Sequence, residues 1–360
     1  MRLALTPQFP TDSHYMQLPR EVLIGKDVAP HVGETLKRLG YSGTALIVTG
    51  PKVRSIAAEI VIRSLDQAGF NSSIVITESA TTDEVSNVQR EIKLRSADIV
   101  VGVGGGKDID VAKLSSMKEQ KTFLSVPTAA SHDGIASPLV SMKGLNRPYS
   151  YVAHSPVAIV ADTSIIAKSP YRLIASGCGD VLAKYTAVRD WKLAHRIKSE
   201  YYGDYAAELA LMSSRLVIKN ASTIRTISES GVRTLVEALI SCGVAMSIAG
   251  TSRPCSGSEH LFSHALTTIA PMPALHGEMC GVGTILCAYL HGANWELIRD
   301  VLRKIGAPTT ASELNIDAEY VVEALTKAHS IRPDRYTIFG DSGLTKEAAV
   351  RVATITGVIN

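Results

Sequence analysis

Over the first part of the chain, short apolar runs rich in β-branched residues alternate with segments whose apolar positions recur every three or four residues. The runs are Thr44 to Thr49, Ser73 to Thr77, Asp98 to Val103, Thr122 to Val126 and Val157 to Val160. Between them, Val53 to Ala68 and Asp83 to Arg95 carry the spacing that lets a helix bury one face. Such alternation predicts a parallel sheet with helices packed against it. Past Pro170 the strand signal stops, and Asp180 to Ile197, Asp204 to Ile218 and Gly231 to Ala249 all read as helices. The expected fold is a Rossmann-like α/β domain over residues 1–165 followed by an all-α domain over residues 166–360, with the boundary between Asp162 and Pro170. No fixed-period repeat points to a solenoid.

Composition narrows the class. At 360 residues the chain exceeds one comfortable core, and with 46% hydrophobic and 20% charged residues all of it is expected to be globular. The net charge of +3 comes from dispersed Lys and Arg, with no run to follow a phosphate backbone, so nucleic acid is not an expected partner. Met1 to Pro10 has one Arg but no apolar core or small-residue cleavage site, and does not read as a signal peptide. The longest uncharged stretch, Ala238 to Gly250, is too short to cross a bilayer and reads as a buried helix. These features predict a cytoplasmic protein without a membrane span. Five cysteines lie apart with no Cys-x-x-Cys pair, so they are expected to be reduced and structural.

Two loops carry candidate chemistry. Ile99 to Val103 leads into Gly104-Gly105-Gly106-Lys107-Asp108, and Ile109 to Met117 continues as a helix. Strand, glycine turn and helix start bind phosphate well, because the backbone can approach a pyrophosphate closely and the free N–H groups favour its charge. The glycines crowd too closely for Gly-x-Gly-x-x-Gly, and Val101 and Asp108 break a Walker loop; a plain strand-to-helix turn has the same pattern. The second loop, Pro127 to Gly134, follows the next strand. Two small-residue loops at the carboxyl edge of a parallel sheet point to a dinucleotide. The Thr44 to Thr49 strand ends in Gly50-Pro51-Lys52, not in the acid that holds a ribose 2′-hydroxyl. Lys52 and Arg54 are therefore expected to admit a 2′-phosphate, and NADPH to serve at least as well as NADH.

In the second half, Ser258-Glu259-His260-Leu261-Phe262-Ser263-His264 puts two imidazoles four residues apart on one helix face. His276-Gly277-Glu278 follows a break at Pro271 and Pro273, and Asp180, after Gly177-Cys178-Gly179, is expected to start the first long helix. One carboxylate with two or three imidazoles suits Zn²⁺ with a position open for substrate. His14, His31, His195 and His329 have no such company and are expected to be solvated.

Taken in order, Gly102 to Lys113, Pro127 to Pro138, Gly177 to Asp180, Gly257 to Leu266 and His276 to Glu278 resemble a known superfamily. It is that of the iron-type alcohol dehydrogenases and glycerol dehydrogenases, which includes dehydroquinate synthase, and the likeness is strongest to its archaeal sn-glycerol-1-phosphate dehydrogenase branch. The resemblance covers nearly the full length and implies a dehydroquinate synthase-like fold. It implies Asp180, His260 and His276 as Zn²⁺ ligands, with His264, Asp133 and Asp180 as catalytic residues and substrate contacts. It implies that Gly104, Gly105, Gly106, Lys107, Asp108, Asp110, Thr128, Ser131 and Ser137 hold NADP or NAD. The reaction implied is reversible reduction of dihydroxyacetone phosphate to sn-glycerol 1-phosphate, for the backbone of archaeal membrane phospholipids, by a homo-oligomer.

A metal that polarises the ketone, with His264 or a water held by Asp133 delivering the proton, suits that reaction. No motif marks the substrate phosphate. Lys143, Arg147, Lys184 and Arg253 are candidates by position, against the plainer reading that each is a solvated cation. The alternatives are a glycerol dehydrogenase acting on an unphosphorylated polyol and a dehydroquinate synthase-like lyase; the lyase is expected to carry Glu where this chain has Asp180.

Overall fold

The computed structural model describes residues 16–142, 150–272 and 274–360. Its strands in chain order are β1 (Glu21–Gly25), β2 (Thr44–Thr49), β3 (Asn71–Ile76), β4 (Ile99–Gly104), β5 (Thr122–Pro127), the short pair β6 (Leu139–Val140) and β7 (Tyr151–Val152), and β8 (Ala158–Asp162). All but the short pair join one sheet in the order β1-β8-β5-β4-β2-β3, every neighbouring pair parallel. The chain runs from β2 outward to β3 and returns on the other side of β2 to β4. The carboxyl ends of β2 and β4 thus flank a switch point, the place where open parallel sheets bind ligands.

Alternation along β2 builds two cores. Ala45 and Ile47 pack with Val32, Leu36, Val61 and Leu65 from the Val32–Arg38 and Glu59–Gln67 helices on one face. Leu46 and Val48 join Val85, Val88, Ile109 and Ala112 from the Thr82–Leu94 and Gly106–Lys118 helices on the other, and this second core continues into the helical half as far as Ile359. Strand β1 was not anticipated. It is an edge strand paired only with β8 and nowhere fully buried, and its apolar run is only the three residues Val22-Leu23-Ile24.

After β8 the long elements described are helices, as expected from Pro170 onward. Glu229–Ala249 is the one described helix long and apolar enough to cross a membrane, but 72% of its most apolar window is buried. It packs along Asp204–Arg225 as a core helix. The expectation for Asp180 needs correction. The helix holding it begins at Tyr171, after Pro170 as N-cap, so Asp180 lies near its end rather than at its start. Gly177 and Gly179, which look like a turn in the sequence, are helical because other backbones press against them there.

Candidate active site

Three close backbone contacts bring the pieces together. A Cβ at Gly177 would lie 1.9 Å from Ala130 O in the loop after β5, one at Gly277 1.9 Å from Ser176 O, and one at Gly179 2.1 Å from Gly277 O. Only glycine permits approaches this tight. They set the Tyr171–Leu182 helix against both the Pro127 to Gly134 loop and the His276–Leu290 helix. Asp180 therefore meets His276, and the backbone N–H of Asp133 donates to Asp180 Oδ2 at 2.8 Å.

Asp180, His260, His276 and Cys280 each aim one ligand atom at a common point, all within 4.8 Å of one another. Glu259 Oε1 lies 2.8 Å from His260 Nδ1. A carboxylate there requires the proton on Nδ1 and leaves Nε2 as the donor, and Nε2 is the atom turned toward Asp180, 3.5 Å from Oδ1. Glu259 is itself fixed by Gly257 N–H at 2.7 Å and Thr186 Oγ1 at 2.7 Å. Hard carboxylate, imidazoles and an oriented second ring make a donor set that fits Zn²⁺.

Among themselves these groups offset one another's charge. Burial alone would raise the Asp180 carboxyl, but the Lys184 ammonium and the His260 imidazole outweigh it and hold the group well below the usual carboxylate range. Burial likewise opposes charge on His260, yet Cys280 and Asp180 keep it well above an ordinary histidine. Cys280 is buried too, which would raise its thiol, but His260 and His276 draw it down to about 6. His264 is different: burial, then the His276 and His260 rings, hold it well below the usual value and neutral. Its ring centroid is 5.8 Å from that of His276.

The glycine loop adjoins this centre. Gly105 has nothing within 4 Å of where a Cβ would be, an open cradle at the start of the Gly106–Lys118 helix. Asp108 Oδ2 accepts from Gly105 N–H at 3.2 Å, and burial pushes its carboxyl up to about 6. A Cβ on Gly106 would lie 1.8 Å from His132 Nε2, and the His132 ring centroid is 6.4 Å from that of His276. His132 thus joins the glycine loop to the group of Asp180, His260 and His276. Lys107 is exposed, with its ammonium 3.4 Å from Glu78 O. Thr128 is buried and Ser131 partly exposed on the second loop.

Asp110 and Ser137 lie deeper. Asp110 is 4% exposed and accepts from Ser141 N–H at 2.9 Å. Beside it Lys113 donates to Gly134 O and Leu139 O, both at 2.7 Å, so this pair braces the second loop from beneath. Ser137 is 1% exposed.

A model of the iron-containing alcohol dehydrogenase family matches residues 23–170. A Methanosarcina mazei protein named glycerol-1-phosphate dehydrogenase (NAD(P)+) is 54% identical over 346 residues, covering 96% of this chain and 97% of its own. The chain belongs to the glycerol-1-phosphate dehydrogenase family. A Thermococcus kodakarensis protein of the same name is also 54% identical, over 96% of this chain and 99% of its own. The fold is shared with glycerol dehydrogenase from Schizosaccharomyces pombe, 20% identical, with a TM-score of 0.79 over 96% of this chain and 90% of that one.

For this glycerol-1-phosphate dehydrogenase family member, two of the phosphate candidates must be corrected. Lys184 is wholly buried between Asp180 Oδ1 at 2.9 Å and Asp133 Oδ2 at 2.8 Å, and Arg253 is 2% exposed on the Glu200 carboxylate. Neither is a solvated cation, and both are already neutralised. Lys143 and Arg147 lie outside the described residues. Sequence reasoning missed Cys280, the role of Lys184 as the cation between Asp133 and Asp180, and His132. A spacing of four was the available signal for the first two, from His276 and Asp180 respectively.

Proposed function

We propose that the chain reversibly reduces dihydroxyacetone phosphate to sn-glycerol 1-phosphate with NADPH or NADH, residues 1–165 binding the dinucleotide and residues 166–360 the metal and substrate. The observation that carries this reading is the meeting, through His132, of the open glycine cradle with the Asp180, His260 and His276 group. Near-full-length identity to enzymes of that name supports it. Gly104 to Gly106, with Thr128 and Ser131, would hold the dinucleotide, and Asp180, His260 and His276 the Zn²⁺. When bound, these supply the hydride and the Lewis acidity that steadies a developing alkoxide.

The chain's own residues do the rest. Glu259 orients His260, while Lys184 fixes Asp133 Oδ2 beside the carbonyl site. His264, neutral and half-buried one turn past His260, passes a proton between the substrate oxygen and solvent. Lys52 and Arg54, exposed at the helix start after β2, favour NADPH at least as much as NADH. Five free, buried cysteines suit the cytoplasm. Self-association into a homo-oligomer belongs to the same reading, and sedimentation of the purified chain tests it. The deciding assay supplies dihydroxyacetone phosphate and NADPH to protein of known metal content and determines the enantiomer formed. Preference for unphosphorylated dihydroxyacetone would make it a glycerol dehydrogenase instead.

A further inference from the structure

A cavity of about 520 Å³ opens between the Lys184–Lys198 and Asp204–Arg225 helices, and none of its lining belongs to the candidate active site. Tyr185, Val188, Arg189 and Lys192 reach it from the first helix, at the spacings of three and four that make one helix face. Leu211, Ser214 and Ile218 reach it from the second. Small-molecule sites span a few hundred to about 1,000 Å³, so the volume suits such a ligand. Lys184, held on Asp133 and Asp180, and Thr186, held on Glu259, are buried on the other side of the first helix, so the cavity backs onto the candidate active site.

The cavity is lopsided in charge. Arg189, Lys192, Arg215 and Lys219 line it against the single carboxylate of Glu208. Glu208 meets Arg215 at 3.5 Å in an exposed pair, while Arg189, Lys192 and Lys219 form no ion pair among the described residues. Arg189 is held in place by its stack on the Tyr185 ring, 3.9 Å from the centroid, and by one N–H donated to Tyr185 O. A second, independent feature is Ser214. It is 1% exposed, and its Oγ has no hydrogen-bond partner among the described residues. Buried hydroxyls are nearly always paired, so an unpaired one lining a cavity points to an occupant that pairs it. Val188, Leu211 and Ile218 supply an apolar wall between these groups.

We propose that this cavity is a second ligand site, which takes a small, soluble, amphipathic organic phosphate. The cations supply counter-charge to its head, the apolar wall covers its body, and Ser214 Oγ–H is the donor left for one of its oxygens. Phosphate accepts charge-assisted hydrogen bonds from guanidinium and ammonium alike. The site goes beyond the reaction proposed above and does not depend on it.

Calorimetric titration with n-octyl phosphate tests it, with dihydroxyacetone phosphate and NADP present throughout to fill the candidate active site. The wild-type chain is expected to take up one octyl phosphate. Octyl glucoside, which has the tail without the charge, and inorganic phosphate, which has the charge without the tail, should each bind roughly 10-fold more weakly or worse. Lys192→Glu, exposed at the cavity, should weaken octyl phosphate roughly 10-fold. Lys37→Glu, exposed on the Val32–Arg38 helix, makes the same change in net charge and leaves the affinity in place. Ser214→Ala should weaken octyl phosphate about 3- to 10-fold without lowering the Tm of the unliganded chain, because the deleted hydroxyl has no partner there. No saturable uptake by the wild type, or equal affinity in Lys192→Glu and Lys37→Glu, overturns the proposal. Retention on phosphatidylglycerol vesicles without uptake of octyl phosphate also overturns it and makes this face a membrane dock. A change in sedimentation on Lys192→Glu, again without uptake by the wild type, overturns it in favour of a contact between copies of the chain.

Discussion

Lys184 has no exposed surface and two carboxylates for company, so its ammonium keeps Asp133 and Asp180 from repelling each other across the join of loop and helix. Burial would lower its pKa, but Asp133 and Asp180 together hold it well above an ordinary lysine. Lys184→Met leaves two adjacent carboxylates without that cation. In metal-free protein the variant is expected to lose about 3–5 kcal/mol in denaturant melts, the usual cost of breaking a buried pair. A bound divalent cation restores part of the counter-charge, so the loss should be smaller after metal loading; equal losses in both states would show that Lys184 and the metal do not share a field. His154 gives a prediction in pH. Its Nε2 is 2.9 Å from Ser116 Oγ, and burial, then Lys113, lower its pKa to about 4. The unfolded chain takes up this proton near pH 6.5 and the folded chain only near 4. Stability is therefore full above pH 6.5 and falls as pH drops from there to 4. His154→Gln should flatten that limb of the Tm curve, and a slope parallel to wild type would rule the residue out as its source.

The crossing of the Tyr171–Leu182 and His276–Leu290 helices sets the distance between Asp180 and His276. Because Gly277 faces Ser176 O and Gly179 faces Gly277 O, the helices touch backbone to backbone. Gly277→Ala inserts a methyl where no space exists and should cost about 1–3 kcal/mol through overpacking. As the helices part, bound metal per chain, read by mass spectrometry on desalted protein, should fall as well; lowered stability with full metal content would separate the crossing from the site. The same contacts explain which elements are legible in the sequence. Strands β2, β4 and β5 are buried on both faces and announce themselves as β-branched runs. Edge strand β1 offers only the short run Val22-Leu23-Ile24 between Glu21 and Gly25. His260, His264 and His276 stand out because imidazoles are few and their spacing fits a helix. The glycines before Asp180 misled, since a glycine that admits another backbone looks the same as one that ends a helix. Lys184 and Cys280 were harder still: nothing local tells a buried ammonium from a solvated one, and only the fold brings Asp133 or His260 beside them.

Length alone favours two independently folding units in this chain, and the switch from a parallel sheet to helices after β8 favours them too. Packing argues the other way. One hydrophobic cluster takes in Leu46, Val100 and Ile109 from the sheet side, Ile174 and Leu239 from the Tyr171–Leu182 and Glu229–Ala249 helices, and Val358 and Ile359 from the end of the chain. Unfolding the helical half would uncover the loop after β5 and the Asp133–Ile135 turn, where Ala130 and Ala136 now lie buried against Gly177 and Gly243. Polar ties cross the same join, with Ser155 Oγ 2.9 Å from Ser247 Oγ and Asp133 bound to both Asp180 and Lys184. Melting is therefore expected as one cooperative transition in calorimetry, with matching calorimetric and van't Hoff enthalpies. If metal and NADPH bind the folded chain alone, as the proposed function requires, each should move that whole transition upward, by about 2.7 kcal/mol at a hundredfold excess over Kd. Two resolved transitions, one sensitive only to metal and the other only to NADPH, would mean that the shared core does not couple the halves and that the site is assembled from two units stable on their own.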